Sequence, residues 1–249
     1  LITKIEDREN YLIRKSVNLS KQYHILASNV DQAVLVATVK SPETLNEFID
    51  RFLVMATAYH IPAKIFVNKI DLYSDGDFEQ LADWNFMYAD AGYEVIPMSV
   101  QGNKNLDAIK KALEGKTTVL SGNSGVGKSS LLNYLIPNET IKTSEISEMH
   151  QQGVHTTTFA EMYDLPFNGK IIDTPGIRGL GVIDIEQNEL ADYFPEFLAL
   201  KSQCKFHNCV HINEPKCAVK AALEAGEIAE SRYNSYLSIY ANDETEHYR

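Results

Sequence analysis

The sequence predicts a three-layer α/β domain, with a β-hairpin in front of it and a small helical domain behind it. Three observations carry this. From Ala33 onward, short apolar runs alternate with stretches of helical length, the pattern of a mostly parallel sheet covered by helices. A glycine-rich loop, Gly122–Ser129, lies between a strand-like and a helix-like stretch. All three cysteines fall between residues 204 and 217, past Gly181, where the alternation ends. The expected boundaries are 1–30, 31–181 and 182–249.

The elements follow in order. Ile2, Lys4 and Glu6 alternate with Thr3, Ile5 and Asp7; Asp7–Asn10 supplies turn residues and Tyr11–Arg14 resumes the strand, which predicts a hairpin over 1–15. Such a hairpin is marginal alone and belongs to a larger sheet. Residues 16–30 read as a polar linker. Ala33–Val39 is an apolar run, as expected of a strand buried on both faces. A helix is expected from near Pro42 towards Tyr59, a strand at Lys64–Val67, a helix at Phe78–Ala91 and a strand at Glu94–Met98. Asn105–Leu113 reads as a helix, Thr117–Leu120 as a buried strand and Ser129–Leu135 as the start of a helix. Residues 137–156 are too polar for a core. Thr158–Leu165 and Lys170–Asp173 read as strands joined around Phe167–Gly169, where Asn-Gly marks a hairpin. Glu186–Leu200, Ala218–Ala225 and Ala229–Tyr240 read as helices.

Composition is that of an ordinary globular protein, 44% hydrophobic and 23% charged over 249 residues. No apolar run is long enough to cross a bilayer. The net charge of −11 is uneven: +2 over residues 1–30, −12 over 31–199 and −1 over 200–249. An acidic middle argues against coating by nucleic acid and leaves the two ends to meet a polyanion.

The loop Gly122-Asn-Ser-Gly-Val-Gly-Lys-Ser-Ser130 has the spacing of a phosphate-binding loop, in the strand–loop–helix context that this chemistry requires. Backbone N–H groups of Gly122, Asn123, Ser124, Gly125, Val126 and Gly127 can curl round a phosphate, aided by the helix N-terminus. Lys128 reaches the β- and γ-phosphates, and Ser129, with Ser130 behind it, offers a hydroxyl to Mg²⁺. A nucleoside triphosphate site is therefore expected. Asn68-Lys-Ile-Asp71 ends a buried strand and matches a guanine-recognition motif. The Asp71 carboxylate accepts from guanine N1–H and its 2-amine, whereas adenine would leave it unpaired. The Lys69 stem packs on the base, Asn68 braces neighbouring loops, and Ile70 completes the motif. Ser99 either backs the base or is a plain polar loop residue.

Asp173-Thr-Pro-Gly176 matches the Asp-x-x-Gly motif of GTPases, with Asp173 towards Mg²⁺ through water and the Gly176 N–H towards the γ-phosphate. In His155-Thr-Thr-Thr158, Thr157 is the chosen hydroxyl for Mg²⁺ among the three threonines. GTPases ordinarily run phosphate loop, Thr switch, Asp-x-x-Gly, Asn-Lys-x-Asp, Ser loop. Here the last two come first, a circular permutation that relocates surface connections and keeps the packed sheet. Cys204, Cys209, His211 and Cys217 suit tetrahedral Zn²⁺ in a closed structural site, with His207 the alternative fourth ligand. Three cysteines would leave one over in a disulfide framework.

Together, the permuted order, the phosphate loop, His-Thr-Thr-Thr, Asp-Thr-Pro-Gly and the Cys/His spacing resemble the ribosome small-subunit-dependent GTPases, the RsgA/YjeQ family. The resemblance covers about residues 27–240. It implies a bacterial, cytoplasmic GTPase that takes GTP with Mg²⁺ and one structural Zn²⁺. It further implies action late in maturation of the small ribosomal subunit, contact with its rRNA, and turnover stimulated by that subunit. A monomer with no membrane partner is expected. The family carries an N-terminal OB-fold, of which the 1–15 hairpin is read as a remnant. Rival readings are an RNA-binding module switched by GTP with incidental hydrolysis, or a GTPase acting on another RNA such as tRNA. Ile177 stands where Ras-type proteins place the glutamine that orients water. His155, with an unperturbed pKa of about 6.5, or a group supplied by the subunit, is expected to orient it instead.

Overall fold

A computed structural model describes residues 3–4, 7–15, 23–137, 161–173 and 185–246. Its centre is a six-stranded sheet, built from β3 (Gln32–Ala37), β4 (Ala63–Val67), β5 (Glu94–Pro97), β6 (Thr117–Gly122), β7 (Glu161–Leu165) and β8 (Gly169–Asp173). The order is β5-β4-β3-β6-β8-β7, parallel throughout except for the antiparallel β7–β8 hairpin.

Every residue of β3 is buried, because the strand has neighbours on both sides and helices on both faces. Its period-two alternation sorts the core. Ala33, Leu35 and Ala37 face Ile49, Phe52 and Leu53 of α1 (Asn46–Ala58) and Leu81, Trp84 and Tyr88 of α2 (Asp75–Asp90). Val34 and Val36 face Ile109 and Leu113 of α3 (Leu106–Leu113) and Leu131, Leu132 and Leu135 of α4 (Lys128–Leu135). The three layers expected from the sequence are present.

The chain leaves β3 towards β4 and β5, then returns to lay β6 on the other side of β3. This reversal opens a crevice at the carboxyl ends of β3 and β6, the usual binding place in open α/β sheets.

Three local expectations differ. The hairpin is not within residues 1–15: β1 (Tyr11–Lys15) pairs with β2 (Tyr23–Ser28), inside the stretch read as linker. None of residues 3–4 and 7–10 is in a strand. Asn10, read as a turn residue, instead ties the pair to the main domain, donating to Val30 O (2.8 Å) and accepting from Val30 N (2.8 Å). The first helix starts at Asn46 rather than near Pro42, because Thr38 and Thr44 close the intervening loop on itself, Thr44 N to Thr38 O at 2.9 Å and Thr38 N to Thr44 Oγ1 at 3.1 Å. The helix expected over Glu186–Leu200 is a 3₁₀ turn, Leu190–Tyr193, followed by α5 (Pro195–Lys201). Pro195 lacks an N–H and is suited to the first turn of a new helix, not to the interior of an old one.

With α6 (Ala218–Glu224) and α7 (Glu230–Glu246), α5 forms a second core around Phe194, Phe197 and Tyr236. Val54 of α1 belongs to this core, so the C-terminal unit packs directly on the α/β domain. At the junction Arg232, 2% exposed, donates to Asp50 Oδ1 of α1 (2.7 Å) and with two nitrogens to Glu196 of α5 (2.8 and 3.0 Å). Its guanidinium also lies over the Phe194 ring, 4.7 Å from the centroid.

Removing one partner from a buried ion cluster leaves the others unpaired. Arg232→Met is therefore expected to lower unfolding free energy by about 3–5 kcal/mol, measured by urea denaturation. A loss within about 0.5 kcal/mol, the scale of an ordinary surface change, would show that the cluster does not hold the junction.

Candidate nucleotide and metal sites

The crevice at the carboxyl ends of β3, β4, β6 and β8 collects the sequence-predicted nucleotide-site residues that lie within the described segments. Gly122 ends β6 at φ +147°, and a Cβ there would overlap the Val36 carbonyl of β3. Gly127 precedes α4 at φ +98°, and a Cβ there would overlap the Asn68 side-chain amide. These two positions accept only glycine, so the loop passes close to its neighbours. Ser124 and Gly125 are exposed at its tip, while Val126 is buried beneath it. Lys128 donates to Gly122 O (2.6 Å) and Asn123 O (2.8 Å). Ser129 and Ser130, half-buried, occupy the first turn of α4.

Asn68 ties the loops together. Its Nδ2 donates to Val126 O (2.8 Å) and its Oδ1 accepts from Val100 N (3.3 Å). The sequence did not point to Tyr73, whose hydroxyl donates to Asn68 O (2.9 Å) and accepts from Val39 N (2.7 Å). Burial pushes its phenol up to about 12, so it stays a donor. A tyrosine two residues beyond Asp71 carries no sequence signal of such a role.

Lys69 adopts φ +67° and donates to Gly125 O (2.7 Å) and to Ser41 O, which pins its head and lays its stem between the loops. Ile70 is buried and serves the core. Asp71 is exposed, and one of its oxygens accepts from Ser99 Oγ, which in turn accepts from Gly102 N (2.7 Å). Ser99, fully buried, thus orients the carboxylate from behind. This arrangement can present an acceptor pair to a base edge with N–H donors.

Asp173 lies at the end of β8, paired in register with Leu120 of β6. Burial pushes its carboxyl above the usual range, with the Lys128 ammonium opposing. Burial likewise lowers Lys128, opposed by Asp173. Asp173 Oδ1 is buried and makes no hydrogen bond among the described residues. A buried carboxylate oxygen of this kind, beside a phosphate loop, fits a divalent cation or its bound water. His155, Thr157 and Gly176, with Ile177, lie outside the described residues.

In the C-terminal unit the ligand atoms of Cys204, Cys209, His211 and Cys217 all lie within 4.8 Å of one another. His211 Nδ1 is 3.2 Å from Cys217 Sγ and 3.6 Å from Cys204 Sγ. A Zn–S bond of about 2.3 Å sets tetrahedral edges of about 3.8 Å, so the donor set fits zinc. Burial pushes the Cys209 thiol up to about 12 and raises Cys217 as well, so a cation is what would keep them as thiolates. Backbone amides of Ala218 and Lys220 point at Cys204 Sγ (3.3 Å) and Cys217 Sγ (3.5 Å). Glu214 accepts from Val210 N (2.9 Å), Ile212 N (3.0 Å) and Asn213 N (3.1 Å) and shapes the turn that carries His211. His207, the alternative ligand, is exposed and outside this cluster.

A family model described as RsgA GTPase matches residues 5–183. The chain belongs to the RsgA GTPase family. Relatives named small ribosomal subunit biogenesis GTPase RsgA include that of Christiangramia forsetii, 57% identical over 98% of this chain and 78% of the relative. That of Bacteroides fragilis is 50% identical over 100% of this chain and 80% of the relative. Among solved structures, YjeQ from Thermotoga maritima is similar with TM-score 0.80 and 36% identity, over 96% of this chain and 77% of that one. YloQ, described as a circularly permuted GTPase, gives 0.76 and 34%, over 98% and 75%. The chain thus spans about three-quarters of the length of these RsgA relatives. The permuted fold read from motif order is that of YjeQ and YloQ.

Because the Asn68 amide joins two loops of this RsgA-family site, Asn68→Ala is expected to weaken GTP and GDP binding alike by about 1–3 kcal/mol, the scale of buried hydrogen bonds left unmade. Titration with a fluorescent guanine nucleotide checks this, and unchanged affinity would remove Asn68 from the site's architecture.

Proposed function

We propose that this chain hydrolyses GTP in the course of small ribosomal subunit maturation, with turnover stimulated by the subunit. The observation that supports it most is the convergence of Asp71, backed by Ser99, and the Gly122–Ser129 loop on one crevice of a permuted sheet. Asp71 selects guanine, the Lys69 stem covers the base, and the backbone of Gly122–Gly127 with Lys128 holds the phosphates. Ser129 and Asp173, with Thr157, are the groups that would hold Mg²⁺. The ion would supply positive charge against the β- and γ-phosphate oxygens. Gly176 N–H is assigned to the γ-phosphate. His155 orients the attacking water, or the ribosomal partner supplies that group, since Ile177 has no hydrogen-bonding side chain.

Cys204, Cys209, His211 and Cys217 hold one structural Zn²⁺ in this reading. Beside them Lys205, Phe206 and Lys216 are exposed, and the Lys205 ammonium lies 5.0 Å from the Phe206 ring centroid. Cations flanking an exposed ring suit phosphate contact with an unstacked base. Lys201 is less available, being paired with Asp192.

Steady-state hydrolysis with and without purified small subunits, large subunits and tRNA tests the proposal. Stimulation by small subunits alone is the expected result. Tight GTP-dependent binding without faster turnover would favour a switched RNA-binding module, and stimulation by tRNA another RNA target. His155→Ala is expected to leave GTP binding intact while lowering stimulated turnover by about 10²-fold or more. Full stimulated turnover would assign that step to the ribosome. Elemental analysis of protein purified without chelator is expected to find one zinc per chain. Chelation is expected to unfold chiefly residues 200–225.

A further inference from the structure

A groove of about 330 Å³ runs where the outer side of α2 meets the starts of α1 and α7. Its lining includes Trp84, Phe86 and Met87 of α2, Asn46 of α1, and Ala229 and Ser231 at the head of α7. Gln80 and Asp83 of α2 line it too, Trp84 Nε1 donates to Asn46 Oδ1 (2.8 Å), and Ser231 Oγ contacts Met87 Sδ (3.0 Å). Phe86 stands at the groove 79% exposed. A lone exposed phenylalanine is ordinary on a protein surface. This one borders a concavity of mixed character, with Trp84 and Met87 set among Asn46, Gln80, Asp83 and Ser231, at a junction between two domains, where binding sites concentrate.

The charge around the groove has one sign. Residues 70–103 carry seven Asp and Glu and neither Lys nor Arg. Glu230, between the lining residues Ala229 and Ser231, is exposed. Cations from adjoining segments are already engaged: Lys40 with Asp77, Arg51 with Glu47 (3.0 Å), and Arg232 buried against Asp50 and Glu196. Among the described residues Glu79, Asp83 and Glu230 make no ion pair. Nucleic acid is repelled by such a surface. The volume is near the low end of the roughly 300–1,000 Å³ of small-molecule sites, which suits one or two side chains.

We infer that this groove docks a Lys/Arg-rich segment of a partner protein, one apolar side chain of which enters beside Phe86 while its cations face Glu79, Asp83 and Glu230. Steering by the acidic surface would set the on-rate and the buried side chain the lifetime. None of the lining residues belongs to the nucleotide or zinc sites, so the inference stands or falls apart from GTP hydrolysis.

Trp84 is the only tryptophan in the chain and lines the groove, so its emission reports occupancy. The probe is a short synthetic peptide of alternating Lys and Ser around a central Leu, labelled so that anisotropy reads binding even if Trp84 emission is silent. Saturable binding to the full chain, weakened by salt, is expected. Replacing the central Leu by Ser, or using Phe86→Ser protein, is expected to weaken binding by about tenfold or more, and Asp83→Lys similarly. Guanine-nucleotide affinity and basal hydrolysis should stay as in the wild type, which separates this result from a failure of the GTPase reading. No saturable binding overturns the inference. So does equal binding of the Leu and Ser peptides, which would mean plain charge attraction, or equal binding by Phe86→Ser protein. Concentration-dependent self-association abolished by Phe86→Ser would assign the groove to a second copy and overturn it too.

Discussion

Three loops far apart in sequence meet at one side-chain amide. Asn68 bonds Val126 from 58 residues away and Val100 from 32 residues away, and each bond uses a different end of the amide. The close approach allows nothing larger than hydrogen at Gly127, so the phosphate loop and the strand-end loop fit only in one relative position. Lys69 adds a second tie to the same loop through Gly125 O. Because the groups are buried or pinned, an unmade bond here would cost its full desolvation. The loop that carries Asp71 and the glycine loop are therefore not independent features of the crevice. They share a frame, and that frame survives permutation because it depends on strand ends being adjacent in space, whatever order the chain visits them.

The same logic governs the C-terminal unit. β8 ends at Asp173, and Ile185 is buried in the C-terminal core with Val54 of α1. Both ends of the intervening segment are thus anchored on structures that Arg232 clamps to each other. A partner that displaces the C-terminal unit must either break the Arg232 cluster or carry α1 with it. The loop at the head of α1 contributes Ser41 O to Lys69, so a shift of α1 would be felt at the base side of the crevice. Packing through α1 thus links the C-terminal unit to the base side of the crevice.

The sheet was legible because β3, β4 and β6 are buried on both faces and read as apolar runs, and because strand ends carry recognisable loops. The ligand cluster was legible for a similar reason: Cys204, Cys209, His211 and Cys217 lie close enough in sequence for spacing to speak. What escaped reading depended on long-range partners. Tyr23–Ser28 became a strand because β1 lies beside it, and no local pattern announces that. Asn10 looked like a turn residue because its partner, Val30, is twenty positions away. Tyr73, Asp50, Glu196 and Arg232 have no motif, since their roles exist only once the folded chain brings them together. The break at Pro195 was visible in sequence and outweighed by a helical pattern on both sides of it.

Burial works against charge on both sides of the phosphate loop. It lowers the Lys128 ammonium and raises the Asp173 carboxyl, and each group opposes the shift of the other. A triphosphate laid on the loop would favour the charged lysine strongly. The same negative charge would push Asp173 further towards its neutral form unless a divalent cation stood between them. With Asp173 as a cation ligand, as proposed, nucleotide and cation would be coupled through one carboxylate: the anion would need the ion to keep Asp173 charged, and the ion would need Asp173 charged to be held.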